Sequence, residues 1–461
     1  MSAPAQPDSP QRRPELLAPA GNLKNLRYAL AYGADAVYAG VPRYSLRVRN
    51  NDFDLDNLAV GIALTRERGR RFYLAANVMP HGAKLKTFVD DMAPVIELAP
   101  NALIMADPGL ILLVRERWPD VEVHLSVQAN TTNAAAVRFW QTQGISRVIL
   151  SRELSLAEIA EIRAACPDVE LEVFVHGALC IAYSGRCLLS GYFNRRDANQ
   201  GTCTNACRWE YRVAGADGQS ADVLPTNQST GTVAIAANEL LDAPAADAMQ
   251  RHPAADEVWL LEEAQRPGEY MPVFEDENGT YIMNAKDLRA VEHVQQLAAM
   301  GIDCLKIEGR TKSHYYAART TQVYRQAIDD AVAGRPFRRD LLTDLEGLAN
   351  RGYTEGFYRR HAPAELQSYD DGASRNQRRI FVGEVISHDP ASGLSEIDVK
   401  NRFGIDDELE LMTPRGSVRF RLDALMALDG GPLDAALGSG WRVLARLPTA
   451  DPTLGLITRA L

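Results

Sequence analysis

Between Val175 and Trp209 the chain reads VHGALCIAYSGRCLLSGYFNRRDANQGTCTNACRW, which places Cys180, Cys187, Cys203 and Cys207 in one short stretch. These are four of only six cysteines in 461 residues. Soft sulfur ligands select zinc, copper(I) or iron–sulfur clusters, so a thiolate quartet this close in sequence reads as a metal centre. Buried free thiols are the plain alternative, because cysteine also packs as a small hydrophobe. Structural zinc favours paired C-x2-C knuckles. Here the spacing is C-x6-C-x15-C-x3-C, with only Cys203 and Cys207 forming a short pair. Long, uneven spacing suits an iron–sulfur cluster wrapped by a folded loop. A radical enzyme would need C-x3-C-x2-C, but Glu210 occupies the third position.

The flanks say what carries this loop. Before it, apolar runs alternate with helical periodicity: strands at 15–19, 35–40, 71–78, 102–106, 121–128, 147–151 and 170–176, with helices between them. An eighth strand at 303–308 and a strong helix at 314–334 follow. Eight βα units predict a (β/α)8, TIM-like barrel with the cysteine-bearing insertion after strand seven. Short strands with turn signals after Arg378 predict a small β-barrel domain. The resulting division is an arm at 1–14, a barrel at 15–335 with its insertion at 180–300, a linker at 336–377 and the β-domain at 378–461.

Strands five, seven and eight alternate strictly, as in Leu171, Val173 and Val175 against Glu172, Phe174 and His176. With the apolar face toward the helices, the polar face fills the bore, and charges there must be paired or used. Barrel active sites gather at the C-terminal ends of strands. That rule selects His176 and Glu172 of E-x-F-x-H-G as candidate catalytic residues. His176 is a candidate to bind substrate or move a proton, having an ordinary pKa near neutrality. In KIEGRTK, Glu308 is a further catalytic candidate, Lys306 and Glu308 are candidates to pair, and Arg310 suits a carboxylate or phosphate. Lys312, Arg152 and Gln128 complete the candidate substrate-binding set. Cys166 and Cys304 read as packing thiols.

A net charge of −10 argues against a globally basic nucleic-acid binder but allows a local patch. Five arginines (186, 195, 196, 208 and 212) lie along the cysteine stretch, and Arg335, Arg338 and Arg339 form a second group. The opening residues lack an apolar core for a secretory signal, and no apolar run spans a bilayer, so a cytoplasmic protein without membrane contact is expected. No G-x-S-x-G, H-E-x-x-H or Walker loop occurs to support a serine or zinc hydrolase or an NTPase.

HGALCIAYSGRCLLS with NRRDANQGTCTNACRW, together with ELLAPAGNLKNLRYALAYGADAVYAG and LKIEGRTKSHYYA, resembles the collagenase-like peptidase family U32 over nearly the whole chain. The resemblance implies a 4Fe-4S cluster on Cys180, Cys187, Cys203 and Cys207. The length, NRGYTEGFY and the terminal β-domain resemble members that hydroxylate the wobble uridine of tRNA to 5-hydroxyuridine without oxygen, with prephenate as co-substrate. That implies tRNA and a small dicarboxylate as partners; an electron-donor protein is left open. Peptidase activity, and hydroxylation of ribosomal RNA or a quinone ring, are the alternatives. The stretch 227–259 is longer than the family pattern.

Overall fold

A computed structural model describes residues 13–46, 52–179, 259–262, 270–276, 279–281, 286–350, 352–359 and 379–461. The four clustered cysteines, their five arginines and most of the arm lie outside the described residues.

The strands β1 (Glu15–Pro19), β2 (Ala36–Gly40), β3 (Arg71–Ala76), β4 (Ala102–Met105), β5 (Val123–Leu125), β6 (Arg147–Ile149) and β7 (Glu170–Ala178) alternate with helices. These are α1 (Leu23–Ala31), α2 (Leu55–Glu67), α3 (Gly82–Glu97), α4 (Pro108–Arg117), α5 (Ala134–Thr142) and α6 (Leu156–Ala165). Five of the six βα joints close with a side-chain cap, and α3, which starts after His81, has none. Asn22, Asp54, Asp107, Asn133 and Ser155 cap the next helix by accepting a hydrogen bond from a first-turn N–H. The fifth strand is shorter than its apolar alternation predicts. Ser126 caps a 3-10 turn at Val127–Ala129, and Asn130 ends it at φ 52°.

Past residue 258 come β8 (Trp259–Glu262), β9 (Tyr270–Asp276), β10 (Gly279–Tyr281), β11 (Asp287–Arg289), α7 (Val294–Ala299), β12 (Cys304–Ile307) and α8 (His314–Val332). Parallel pairing runs from β1 through β7, and β12 bonds to both β7 and β1, closing an eight-stranded barrel. β11 adds an antiparallel strand to the outer end of β7. The described part of the stretch read as a linker packs on this body. α9 (Asp340–Glu346) buries Leu341 and Leu345, β13 (Tyr353–Thr354) pairs with β11, and Tyr358 donates to the Phe174 carbonyl at 2.6 Å.

The last domain is antiparallel. Its strands are β14 (Arg379–Asp389), β15 (Leu394–Val399), β16 (Phe403–Gly404), β17 (Glu408–Thr413), β18 (Gly416–Arg421), β19 (Met426–Ala427), β20 (Ala435–Ala436), β21 (Arg442–Arg446) and β22 (Leu456–Ala460). Seven form one sheet in the order β18-β17-β22-β14-β15-β21-β19, and β16 pairs with β20. It docks on α1 and α8. Tyr315 stacks on Phe381 with ring centroids 4.9 Å apart, Arg319 pairs with Glu410 at 2.9 Å, and Gln322 donates to the Thr413 carbonyl at 2.9 Å. Met412 and Leu456 join the barrel's apolar core. Among the described residues, no helix is long and apolar enough to cross a membrane.

Candidate active site at the barrel mouth

Register decides what lines the bore. Paired residues of parallel strands share a face. The pairs Pro19–Tyr38, Tyr38–Tyr73, His124–Arg147, Arg147–Glu170, Glu172–Cys304 and Phe174–Lys306 therefore turn one continuous set of side chains inward. The bore is polar, as the strand alternation predicts. Arg147, only 1 % exposed, bridges Glu15 at 2.6 Å, Glu170 at 2.7 Å and Glu172 at 3.4 Å. Lys306 pairs with Glu172 at 2.8 Å. The expected Lys306–Glu308 pair is replaced by this cross-strand contact, because the register shifts after Lys306 while Glu172 stands on the adjoining strand. Burial pushes the Lys306 ammonium pKa down, and Glu172 opposes that. Cys304 is buried in the same bore and its thiol is pushed well up by burial, an inert state consistent with packing.

Above this layer lies the mouth. Tyr38 and Phe174 present their rings to three cations. The Lys306 ammonium lies 4.4 Å from the Tyr38 centroid and 5.5 Å from that of Phe174. Arg310 stands 5.7 Å from Tyr38, and Arg152 lies 3.8 Å from Phe174. Arg310 also donates to Ser45 Oγ at 2.6 Å. Gly40 makes this approach feasible, since a Cβ there would meet Arg310 Nη1 at 2.5 Å and Ser45 Oγ at 2.6 Å. Glu308 is close enough to act electrostatically on Tyr38 and Tyr316. Its backbone N–H donates to the His176 carbonyl at 2.8 Å, and its carbonyl accepts from Tyr316 at 2.8 Å. Lys306, Arg310, Arg152, Glu172 and Glu308 thus converge around Tyr38 and Phe174. Gln128 sits apart on the 3-10 turn, its Oε1 buried and without a hydrogen-bond partner among the described residues. Tyr38 and Phe174 were absent from the sequence candidates, although the inward parity of Phe174 between Glu172 and His176 was legible.

His176 is buried among the rings of Tyr316, Tyr324 and Tyr353, with centroids 5.5–5.8 Å away. Burial, followed by Arg289 and Lys312, pushes its pKa down to about 3. The ring is therefore neutral, not the near-neutral titrating group expected from the sequence. Its tautomer follows from proton counting. Tyr324 spends its one proton on the Val175 carbonyl at 2.6 Å and accepts from Ala290 N–H at 3.2 Å. At the 3.3 Å contact with His176 Nδ1, the tyrosine oxygen must then accept. Nδ1 carries the hydrogen, and Nε2 keeps a lone pair. The following residue, Gly177, adopts φ +112°, and a Cβ there would lie 2.7 Å from the Glu308 carbonyl oxygen. The His-Gly pair thus requires glycine for both conformation and space. Leu179 is the last described residue before Cys180. Among the described residues, no group of three or more His, Cys, Asp or Glu is placed to hold a metal.

Residues 21–368 match the family model described as Peptidase family U32, and residues 377–459 match that of the Peptidase family U32 C-terminal domain. The chain belongs to peptidase family U32. This U32 chain is 56% identical over 445 residues to the tRNA hydroxylation protein P of Escherichia coli (strain K12), covering 95% of this chain and 94% of that protein. It is 33% identical over 429 residues to tRNA hydroxylation protein P1 of Bacillus subtilis (strain 168), covering 92% and 90%. A protein named Collagenase from Porphyromonas gingivalis is 28% identical over 423 residues, covering 88% and 87%. Among solved structures, the U32 peptidase Mk0906 aligns at 15% identity with a TM-score of 0.34, covering 44% of this chain and 81% of that one.

Proposed function

We propose that this U32 chain hydroxylates tRNA, converting the wobble uridine to 5-hydroxyuridine, with prephenate as co-substrate and a 4Fe-4S cluster as cofactor. The observation that carries the reading is the 56% identity, along 95% of the chain, to the tRNA hydroxylation protein P of Escherichia coli. Prephenate is a dicarboxylate, and the convergence of Arg152, Arg310 and Lys306 on one pair of rings supports an organic acid at the mouth. The donor set of four clustered thiols fits an iron–sulfur cluster, and Cys180, Cys187, Cys203 and Cys207 would hold it. When bound, the cluster supplies one-electron chemistry. The protein's own residues have distinct tasks. Arg152 and Arg310 bind and orient the acid, Lys306 keeps positive charge beneath it, and Tyr38 and Phe174 exclude water from that side. His176 offers Nε2 as a neutral acceptor for an N–H or O–H of substrate. A cytoplasmic location and an electron-donor partner belong to the same proposal.

The peptidase alternative has the Porphyromonas relative's name in its favour. Against it, the described cysteines Cys166 and Cys304 are buried. The His388–Ser395 contact at 3.0 Å involves a fully buried serine of the small domain.

Nucleoside mass spectrometry of total tRNA from a deletion strain tests the reading. Complementation with the wild-type gene restores the 5-hydroxyuridine-derived signal, and Cys203→Ala does not. Rescue by Cys203→Ala would remove the essential-ligand assignment. An unchanged nucleoside profile in the deletion strain, with no redundant pathway, would bring ribosomal RNA, quinone and peptide substrates forward.

A further inference from the structure

We propose that Arg152, seated over the ring of Phe174, grips a carboxylate of a small organic acid at the barrel mouth, with Phe174 as its positioning residue. This rests on the reading that the mouth consumes such an acid, and it ranks the cations that would bind it.

The three cations are not equivalent. Lys306 is 3 % exposed, and its charge is met by Glu172 at 2.8 Å. Arg310 is 8 % exposed and commits Nη1 to Ser45. Arg152 differs from both. It stands on the loop after β6, half-buried, and its guanidinium contact is the ring of Phe174 at 3.8 Å. Among the described residues, no carboxylate or carbonyl pairs with that guanidinium. Its neighbour in sequence, Glu153, accepts from Ser151 Oγ instead.

The ring contact holds the guanidinium in place, and its N–H donors keep their planar fork. That fork matches the two oxygens of a carboxylate, and the ring reduces the entropy lost on binding. Phe174 faces the bore and is 7 % exposed. Glu172 and Arg147 lie one layer below, and Lys306, level with Phe174 in register, reaches down to Glu172. A small acid can end against such a closed floor. A phosphodiester chain must pass through its binding site, which favours a carboxylate over an RNA phosphate here.

Isothermal titration of the purified full-length holoprotein with prephenate, kept anaerobic, tests the assignment. Arg152→Gln weakens binding by about 30-fold or more, and Arg152→Lys recovers only part, because an ammonium lacks the fork. Phe174→Leu keeps the charge but removes the platform, giving a loss of about 3- to 10-fold. In turnover the Arg152 variants raise KM for the acid more than they lower kcat, and their tRNA affinity by filter binding stays at the wild-type level. Because Arg152 is half-exposed, its variants test the proposal even where Phe174→Leu fails to fold. Wild-type prephenate affinity in Arg152→Gln overturns the proposal. So does a loss of tRNA affinity with prephenate binding intact, which would make Arg152 a phosphate contact. Absence of prephenate binding by the wild-type protein removes the acid site itself. The nucleoside profile of the deletion strain judges tRNA hydroxylation separately.

Discussion

The two ends of the barrel handle charge in opposite ways. At the base, where the strands begin, Arg71 meets Glu15, Arg70 and Arg325 meet Asp35, Arg163 meets Asp303, and Arg147 bridges three glutamates. At the mouth, Arg152 lies on Phe174 and Lys312 on Tyr316, with no ion pair for either among the described residues. A buried charge left alone is costly, so the base must be closed for the barrel to stand. A closed network has nothing left for a ligand. Arg152 and Lys312 are held on ring faces, which fix their position without neutralising them. Positive charge held in place but unspent separates a binding surface from a structural one.

The largest effect is expected where closure is most complete. Arg147→Met removes the cation that Glu15, Glu170 and Glu172 share inside the barrel and should lower unfolding free energy by about 3–5 kcal/mol in a denaturant titration. A loss below about 1 kcal/mol would mean that the base network does not hold the barrel. Next, Glu172→Gln leaves Lys306 buried beside a neutral partner and should cost about 2–3 kcal/mol. Combining it with Lys306→Met should cost less than the two single changes summed, as a double-mutant cycle would reveal.

A third test concerns the place on the mouth side where charges are paired, which is where the small domain docks. Glu384 accepts from Tyr28 at 2.9 Å and pairs with Lys24 and His314. Burial alone would raise its pKa, but the close contact with His314 and the hydrogen bond from Lys24 bring it down to about 2. A carboxylate held below its unfolded value of about 4.3 stabilises the fold above that pH and loses the contribution as pH falls toward 2. Thermal unfolding between pH 5 and 2 should show a loss of order 1–2 kcal/mol that Glu384→Gln flattens. The smallest effect belongs to the open mouth. Lys312→Gln should change stability by no more than about 0.5 kcal/mol, and a larger loss would place Lys312 with the base network.

Much of this contrast is legible in the sequence, for a local reason. Period-two alternation is imposed residue by residue, so the polar faces of 121–128, 170–176 and 303–308 could be assigned inward before any pairing was known. The first strand falls at 15–19, as its apolar run predicts. Pairing is not local. That Lys306 meets Glu172 rather than Glu308 depends on two strands 134 residues apart and a register shift between them. The surroundings of His176 escape for the same reason, since Tyr316, Tyr324 and Tyr353 arrive from distant elements to pack around the ring, and its burial lowers the pKa. The expected roles of the four cysteines lie outside the described residues and rest on their chemistry alone.

The helix α8 has 19 residues and is about 28 Å long. It carries two sets of side chains that face different tasks. Tyr316 and Tyr324 hold the His176 ring, while Tyr315, Arg319 and Gln322 clamp the small domain. A rigid rod shared in this way acts as a lever. A load that tilts the small domain rotates the two tyrosines with it, and the lone pair of His176 moves in turn. The small domain is then part of the bearing on which the mouth is aligned, so cutting the chain after the barrel would blunt the site without touching a residue inside it.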